Sequence, residues 1–258
     1  MNGDVGFGGL AISLVMVAVA VAISVTRRLG LERSILWACT RALGQLLLVG
    51  VALDLVIDPK RSLLWSWCWV LAMILFAAAT TARRASEVPG ALPLSLGAYL
   101  LASGVSLGVV LGLGVFPTNG RTIVPIAGMV VGNSLSATVL VGRRIVAEFA
   151  DKRLEVEARL ALGLTNTAAA GPYLREAVRT ALIPQIETTK ATGIVFLPGS
   201  MVGLILAGVD PLDAVKVQAA VMFLILGSVA TTTSVVALGL SRRLFTADGR
   251  VVRVSRAA

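Results

Sequence analysis

Residues 92–116, LPLSLGAYLLASGVSLGVVLGLGVF, contain no charged side chain. Wound as an α-helix, a run of that length covers the roughly 30 Å hydrocarbon core of a bilayer. Lipid offers no water to backbone N–H and C=O groups, so such runs fold as helices that close their own hydrogen bonds. Comparable runs recur near 7–26, 35–57, 63–82, 122–142, 191–208 and 214–240. The chain therefore reads as all-α and polytopic, with seven transmembrane helices. Charged residues make up 14% of it, against about 25% in a soluble domain, which excludes an ordinary water-soluble fold. The first charge is Asp4, where a signal peptide carries Lys or Arg, and the first apolar run is too long for one. That run is expected to remain as the first span.

Charge then orients the spans. With the N-terminus outside, the cytoplasmic loops hold Arg27, Arg28, Arg33, Arg83 and Arg84, the eight basic residues between Arg143 and Lys190, and the five from Arg242 to Arg256. The external loops hold only Lys60, Arg61, Arg121 and Lys216. The positive-inside rule selects this N-out/C-in arrangement. The net charge of +9 does not indicate nucleic acid, because the basic residues flank apolar runs and are not interleaved with aromatics.

External loops are short and leave no extracytoplasmic domain. The one long polar stretch is 143–190, and it has helical periodicity: Ile145, Phe149, Val156 and Leu160, then Leu174, Val178, Ala181 and Leu182. Gly171-Pro172 breaks the pattern, with the proline suited to a helix start. A cytoplasmic helical hairpin between spans five and six is expected, within a single membrane domain covering 1–258.

Small residues four apart let membrane helices approach closely. Gly104, Gly108 and Gly112, then Gly128 and Gly132, then Gly199 and Gly203 follow that spacing, which predicts that spans four to six form one compact block. Polar or interrupting residues inside spans are candidates for a translocation path or hinge. These are Arg41, Gln45, Met129, Asn133, Ser134, Pro198, Gly199, Met201, Gly203 and Gln218. Arg41 either faces the bundle or snorkels to the interface. Pro198-Gly199 is either a hinge beside a cavity or a packing kink. Met129, Met201 and Met222 offer thioether sulfur or simply fill space.

The chain has no histidine, and Cys39 and Cys68 both lie inside apolar segments. No paired acids or HExxH pattern is present, so neither a metal cage nor a hydrolase is expected. GxxxxGK[ST] is also absent, so the chain is expected to be no enzyme and to bind no cofactor of its own. ATP-driven work would need a separate subunit carrying ATP and Mg.

EARLALG at 157–163, followed by ALIP at 181–184, resembles the EAA loop of ABC transporter permeases, although Gly163 and Pro184 stand further apart than in the importer pattern. RALGQLLLVG (41–50), PIAGMVVGNSLSATVL (125–140) and VRTALIPQIETTKATGIVFLPGSMVGLILAGVDPLDAVKVQ (178–218) widen the likeness. Together they resemble the Fet-type (FetB-like) metal-export ABC permeases, a family that includes plant relatives linked to aluminium tolerance. The strings GMxxGN and LPGxMxGxIL are its most specific parts. The resemblance implies the membrane half of an exporter for iron or another metal ion. It implies a separate ABC ATPase subunit as partner, a homodimer of permeases, and a place in the plasma (inner) membrane. It makes Glu157, Ala158, Leu160, Gly163 and Leu164 candidates for coupling to the ATPase. An organic or nucleotide-sugar cargo, and a stand-alone secondary carrier or channel, are the alternatives.

Overall fold

The computed structural model describes residues 7–57, 62–246, 248–252 and 254. Asp4, Lys60, Arg61, Arg253 and Arg256 lie outside the described residues, as does the side chain of Asp54. The described elements are helices: α1 (Phe7–Thr26), α2 (Glu32–Ile57), α3 (Leu63–Arg84), α4 (Ala91–Gly112), α5 (Gly120–Asp151), α6 (Arg153–Ala161), α7 (Asn166–Ala191), α8 (Gly199–Leu206) and α9 (Pro211–Arg243). Among the described residues five helices are long and apolar enough to cross a membrane, namely α2, α3, α4, α5 and α9, with a shorter apolar stretch at Leu14–Thr26 in α1.

The chain divides into two compact units, Met1–Asp58 and Pro59–Ala258. The first is a helical hairpin of α1 and α2. Its turn is fastened by Ser24, whose hydroxyl donates to Glu32 Oε1 at 2.7 Å and accepts from the Leu31 amide at 3.0 Å. The acid in the first turn of α2 also suits the positive end of the helix dipole. None of the apolar stretch of α2 is buried in protein, which costs nothing against lipid tails.

In the second unit α5 and α9 lie side by side, with α3 and α4 against α5, α4 and α7 against α9, and α7 also against α5. The core has three parts. At one end Val88, Ile145, Phe149, Val156, Ala177, Leu240 and Leu244 form a cluster drawn from every element that ends there. Phe149 meets Tyr173 and Phe245 edge-on, at 6.4 and 6.0 Å between ring centres. A second cluster joins α3, α4 and α5 around Ile74, Tyr99, Ile123 and Val130. A third joins α5 to the middle of α9 through Ala137, Val221, Ile225 and Val229, and Leu182 of α7 packs on it.

Three expectations change. Residues 191–208 are not one spanning helix: α7 ends at Ala191, and the eight residues of α8 reach only about 12 Å. Gly208, at φ +89°, turns the chain, and Asp210 caps α9 by accepting from the Leu212 amide at 2.9 Å. Gly171-Pro172 does not interrupt α7, which continues past Pro172 and Pro184. The missing proline N–H costs one backbone bond, while Ala169, Ala170, Ala177 and Ala181 stay buried in the first cluster and hold the helix straight along its neighbours. The stretch 143–190 is thus the end of α5, all of α6 and nearly all of α7, with α7 packed along α5 and α9.

The glycine spacing is the third. A Cβ added at Gly104, Gly108, Gly112, Gly132, Gly199 or Gly203 would meet no atom within 4 Å, and at Gly128 it would meet only the Met73 methyl at 3.5 Å. α8 packs on α9 alone, so spans four to six do not form the expected block. The glycines used for close approach are others: a Cβ at Gly142 would sit 3.1 Å from Val88 Cγ2, and one at Gly239 would strike Leu94.

Candidate functional site

The corner between α5 and α7 is built around α6. Lys152 ends α5, and Gly163 ends α6 in the left-handed conformation at φ +83°, which a Cβ would oppose. Thr165 then caps α7 by accepting from the Ala168 amide at 3.3 Å. The inner face of α6 places Val156 in the core, with Leu160 packed beside it. Charges occupy its flanks. Arg153 pairs with Glu157 at 2.7 Å, and Lys152 pairs with Glu155 at 2.9 Å. The Tyr173 hydroxyl donates to Glu155 at 3.0 Å, and the Arg159 guanidinium lies 5.9 Å from the Tyr173 ring centre. Hydrogen bonds from the Lys152 ammonium and then the Tyr173 hydroxyl hold the Glu155 carboxyl below the ordinary glutamate range.

The outer face of α6 is apolar as well. Leu154, Ala158, Ala161 and Leu162 are exposed, the two leucines at 80% and 81%, and their spacing sets them on one stripe. Glu157, Ala158, Gly163 and Leu164 therefore all sit at this corner, whereas Leu160 faces inward. Leu154 and Leu162 were not among the sequence candidates. Their spacing of four on either side of Ala158 is the signal that marks them. Beside α6, residues 244–252 fold back: Thr246 N donates to Arg250 O and Val252 N to Leu244 O, both at 2.8 Å. Arg250, Val251 and Val252 face Arg153, Glu157 and Leu160 across a cleft of about 530 Å³.

A larger groove, about 900 Å³, runs between α7 and α9. Its floor is apolar, with Leu174, Val178, Leu182 and Ile186 of α7 against Ala237 and Leu238 of α9. Its rim is charged. Arg175 and Arg179 stand one turn apart, and Glu187 pairs with Lys190 at 2.9 Å. Leu182 packs on the cluster that joins α5 to the middle of α9, and Glu187 and Lys190 lie further along α7. The sequence reading placed these charges in a cytoplasmic helical hairpin over 143–190, since charge within a segment argues against a span.

The path candidates fall into separate places. Arg41 and Gln45 are exposed on α2, in the first unit. Asn133 is exposed and its Nδ2 donates to Met129 O at 2.8 Å, while Ser134 is buried and its hydroxyl donates to Ser228 Oγ at 3.2 Å. Pro198 caps α8 in an extended conformation and Gly199 is its first residue, so Pro-Gly starts a helix instead of kinking one. The next residue, Ser200, donates to Oε1 of the buried Gln218. Met201 is half-buried and Gly203 is exposed. Gln218 and Ser228 are roughly 15 Å apart along α9, so the structure joins these residues in pairs and not in one site. Among the described residues no three His, Cys, Asp or Glu side chains come together in a way that would hold a metal ion.

Membrane-length apolar helices, a charged groove between two of the packed helices and an amphipathic corner helix define a helical membrane protein. The chain belongs to the family described as Uncharacterised protein family (UPF0014), which it matches over residues 7–245. It is 36% identical over 220 residues to the UPF0014 membrane protein STAR2 of Oryza sativa subsp. japonica, covering 85% of this chain and 76% of that one. It is 35% identical over 244 residues to the Probable iron export permease protein FetB of Escherichia coli (strain K12), covering 92% and 90%. To the Protein ALUMINUM SENSITIVE 3 of Arabidopsis thaliana it is 31% identical over 225 residues, covering 87% and 82%. No solved structure matches it.

Proposed function

We propose that the chain is the permease subunit of an ABC exporter for iron or another metal, working as a homodimer in the plasma (inner) membrane. It would lie N-out/C-in, with one separate ATPase docked on α6 of each copy. The outer face of α6 carries this reading. Leu154 and Leu162 are almost fully exposed at the end of the bundle where Arg84 and Arg243 are the last residues of α3 and α9. Water there disfavours an apolar stripe by roughly 25 cal/mol per Å², and a partner that covers it removes that cost. The iron export named for FetB supplies the cargo and the direction.

Val156, Phe149 and Tyr173 tie α6 to α5 and α7. A displacement of α6 by closing ATPases would therefore pass into both helices. The charged face of α7 would line the passage between two copies, because charges on a helix packed along α5 and α9 are costly against lipid and stable against water.

The test is a mild-detergent pull-down of the tagged chain from its native membrane. An ATPase should accompany the wild type, and Leu154→Asp with Leu162→Asp should reduce its recovery about tenfold or more while membrane insertion stays normal. Undiminished recovery with the double variant would remove α6 as the docking helix.

A further inference from the structure

We infer that the groove between α7 and α9 binds an organic anion with an apolar body, and that the passage selects this chemical class over a bare metal cation. The inference rests on the reading of α7 as the wall of the passage. Three features of the groove carry it.

The first is the balance of charge. Arg175, Arg179 and Lys190 stand against the single carboxylate Glu187, and that carboxylate is already bound to Lys190. Arg175 and Arg179 have no ion-pair or hydrogen-bond partner among the described residues. The groove therefore presents two uncompensated guanidinium groups. At a spacing of four on one helix their Cβ atoms are about 6 Å apart, close enough for both to grip one phosphate or carboxylate in the forked geometry that arginine favours.

The second is the arrangement. The two arginines stand midway along the α7 wall, which runs from Thr167 to Lys190, and the apolar floor extends past them through Val178, Leu182 and Ile186. That distribution of charge and apolar surface complements a molecule with a charged head and an apolar body. The third is the volume, about 900 Å³, which lies in the range of small-molecule sites and far exceeds an ion. A bare divalent cation needs several oxygen, nitrogen or sulfur ligands, and the groove offers one engaged carboxylate. A metal crossing here would travel inside an anionic organic chelate.

The experiment uses the purified full chain in discs of zwitterionic lipid, titrated with 1-naphthyl phosphate, 1-naphthol or ferrous ion alone. The phosphate should bind at least about tenfold more tightly than the naphthol. Arg175→Gln with Arg179→Gln should abolish that preference, and Arg175→Lys with Arg179→Lys should keep part of it. Equal binding of the naphthol, phosphate binding that survives in the glutamine double variant, or no phosphate binding would overturn the inference. So would ferrous binding that blocks the phosphate. Loss of phosphate binding when phosphatidylglycerol is added to the discs would make the occupant an anionic lipid, which upholds the ligand class and overturns the groove's part in selecting cargo. ATPase capture by the same preparation reads the permease assignment separately. Capture without phosphate binding overturns only this inference, and phosphate binding without capture upholds the anion site while removing the ATPase reading.

Discussion

Tyr99 sits fully buried between α3 and α5, and its hydroxyl lies 2.7 Å from Thr81 Oγ1. A phenol in an apolar cluster is stable only when its hydroxyl is paired, since a lone buried polar group keeps its full desolvation cost. The pair also fixes the register of α3 against α4, whose apolar side chains alone would tolerate sliding. Tyr99→Phe should therefore lower stability by about 1–2 kcal/mol, read as a fall in the melting temperature of the detergent-purified chain. The α6 corner shares no side chain with this cluster, so capture of the proposed ATPase should be unchanged. An unchanged melting temperature would mean that Thr81 finds a backbone partner at no loss.

Helix packing separates glycines that share a sequence pattern. Gly142 is buried in α5, and a Cβ there would press on Val88 at 3.1 Å. Valine is stiff about χ1 and yields poorly. Gly142→Leu should thus destabilise by about 1–3 kcal/mol, whereas Gly199→Leu, with no atom within 4 Å, should stay within about 0.5 kcal/mol. Chemical unfolding of the two variants side by side checks the contrast, and equal losses would show that the space around Gly199 is filled. The sequence carried the helical class, the long apolar runs and the α6 corner, because length without charge and the EARLALG spacing are local signals. It carried α7 as helical, with Leu174, Val178, Ala181 and Leu182 on one face, but not its packing along α5 and α9. Arg175, Arg179, Glu187 and Lys190 make that segment read as polar, and only the packing of Leu182 on Val221, Ile225 and Val229 reveals where it lies. Nor did it reveal that Pro198-Gly199 opens α8: what ends α7 is the non-helical stretch 192–198, in which the Gly193 amide donates to Phe196 O at 2.9 Å.

At the scale of the second unit, Arg84 and Arg243, the last residues of α3 and α9, and Arg144, about two turns before the end of α5, gather at one end. Ala85, Ile145 and Leu244, neighbours of Arg84, Arg144 and Arg243, all belong to a single core cluster. The opposite end carries Arg121 near the start of α5, Lys190 in the last turn of α7 and Lys216 near the start of α9. An anionic cytoplasmic leaflet attracts each basic residue near it by about 1 kcal/mol, and the proposed N-out/C-in orientation would put the arginine-rich end, with α6, in the cytoplasm. Thr118, exposed in the turn between α4 and α5, then faces outward. With Cys39 and Cys68 replaced by serine, a membrane-impermeant maleimide on intact cells should label Thr118→Cys and spare Leu162→Cys until the cells are opened. The order matters for mechanism, because only an α6 that faces the cytoplasm meets ATP. Labelling of Leu162→Cys in intact cells would place the corner helix outside and remove the energy source assigned to this permease, even if the helical packing were correct in every detail.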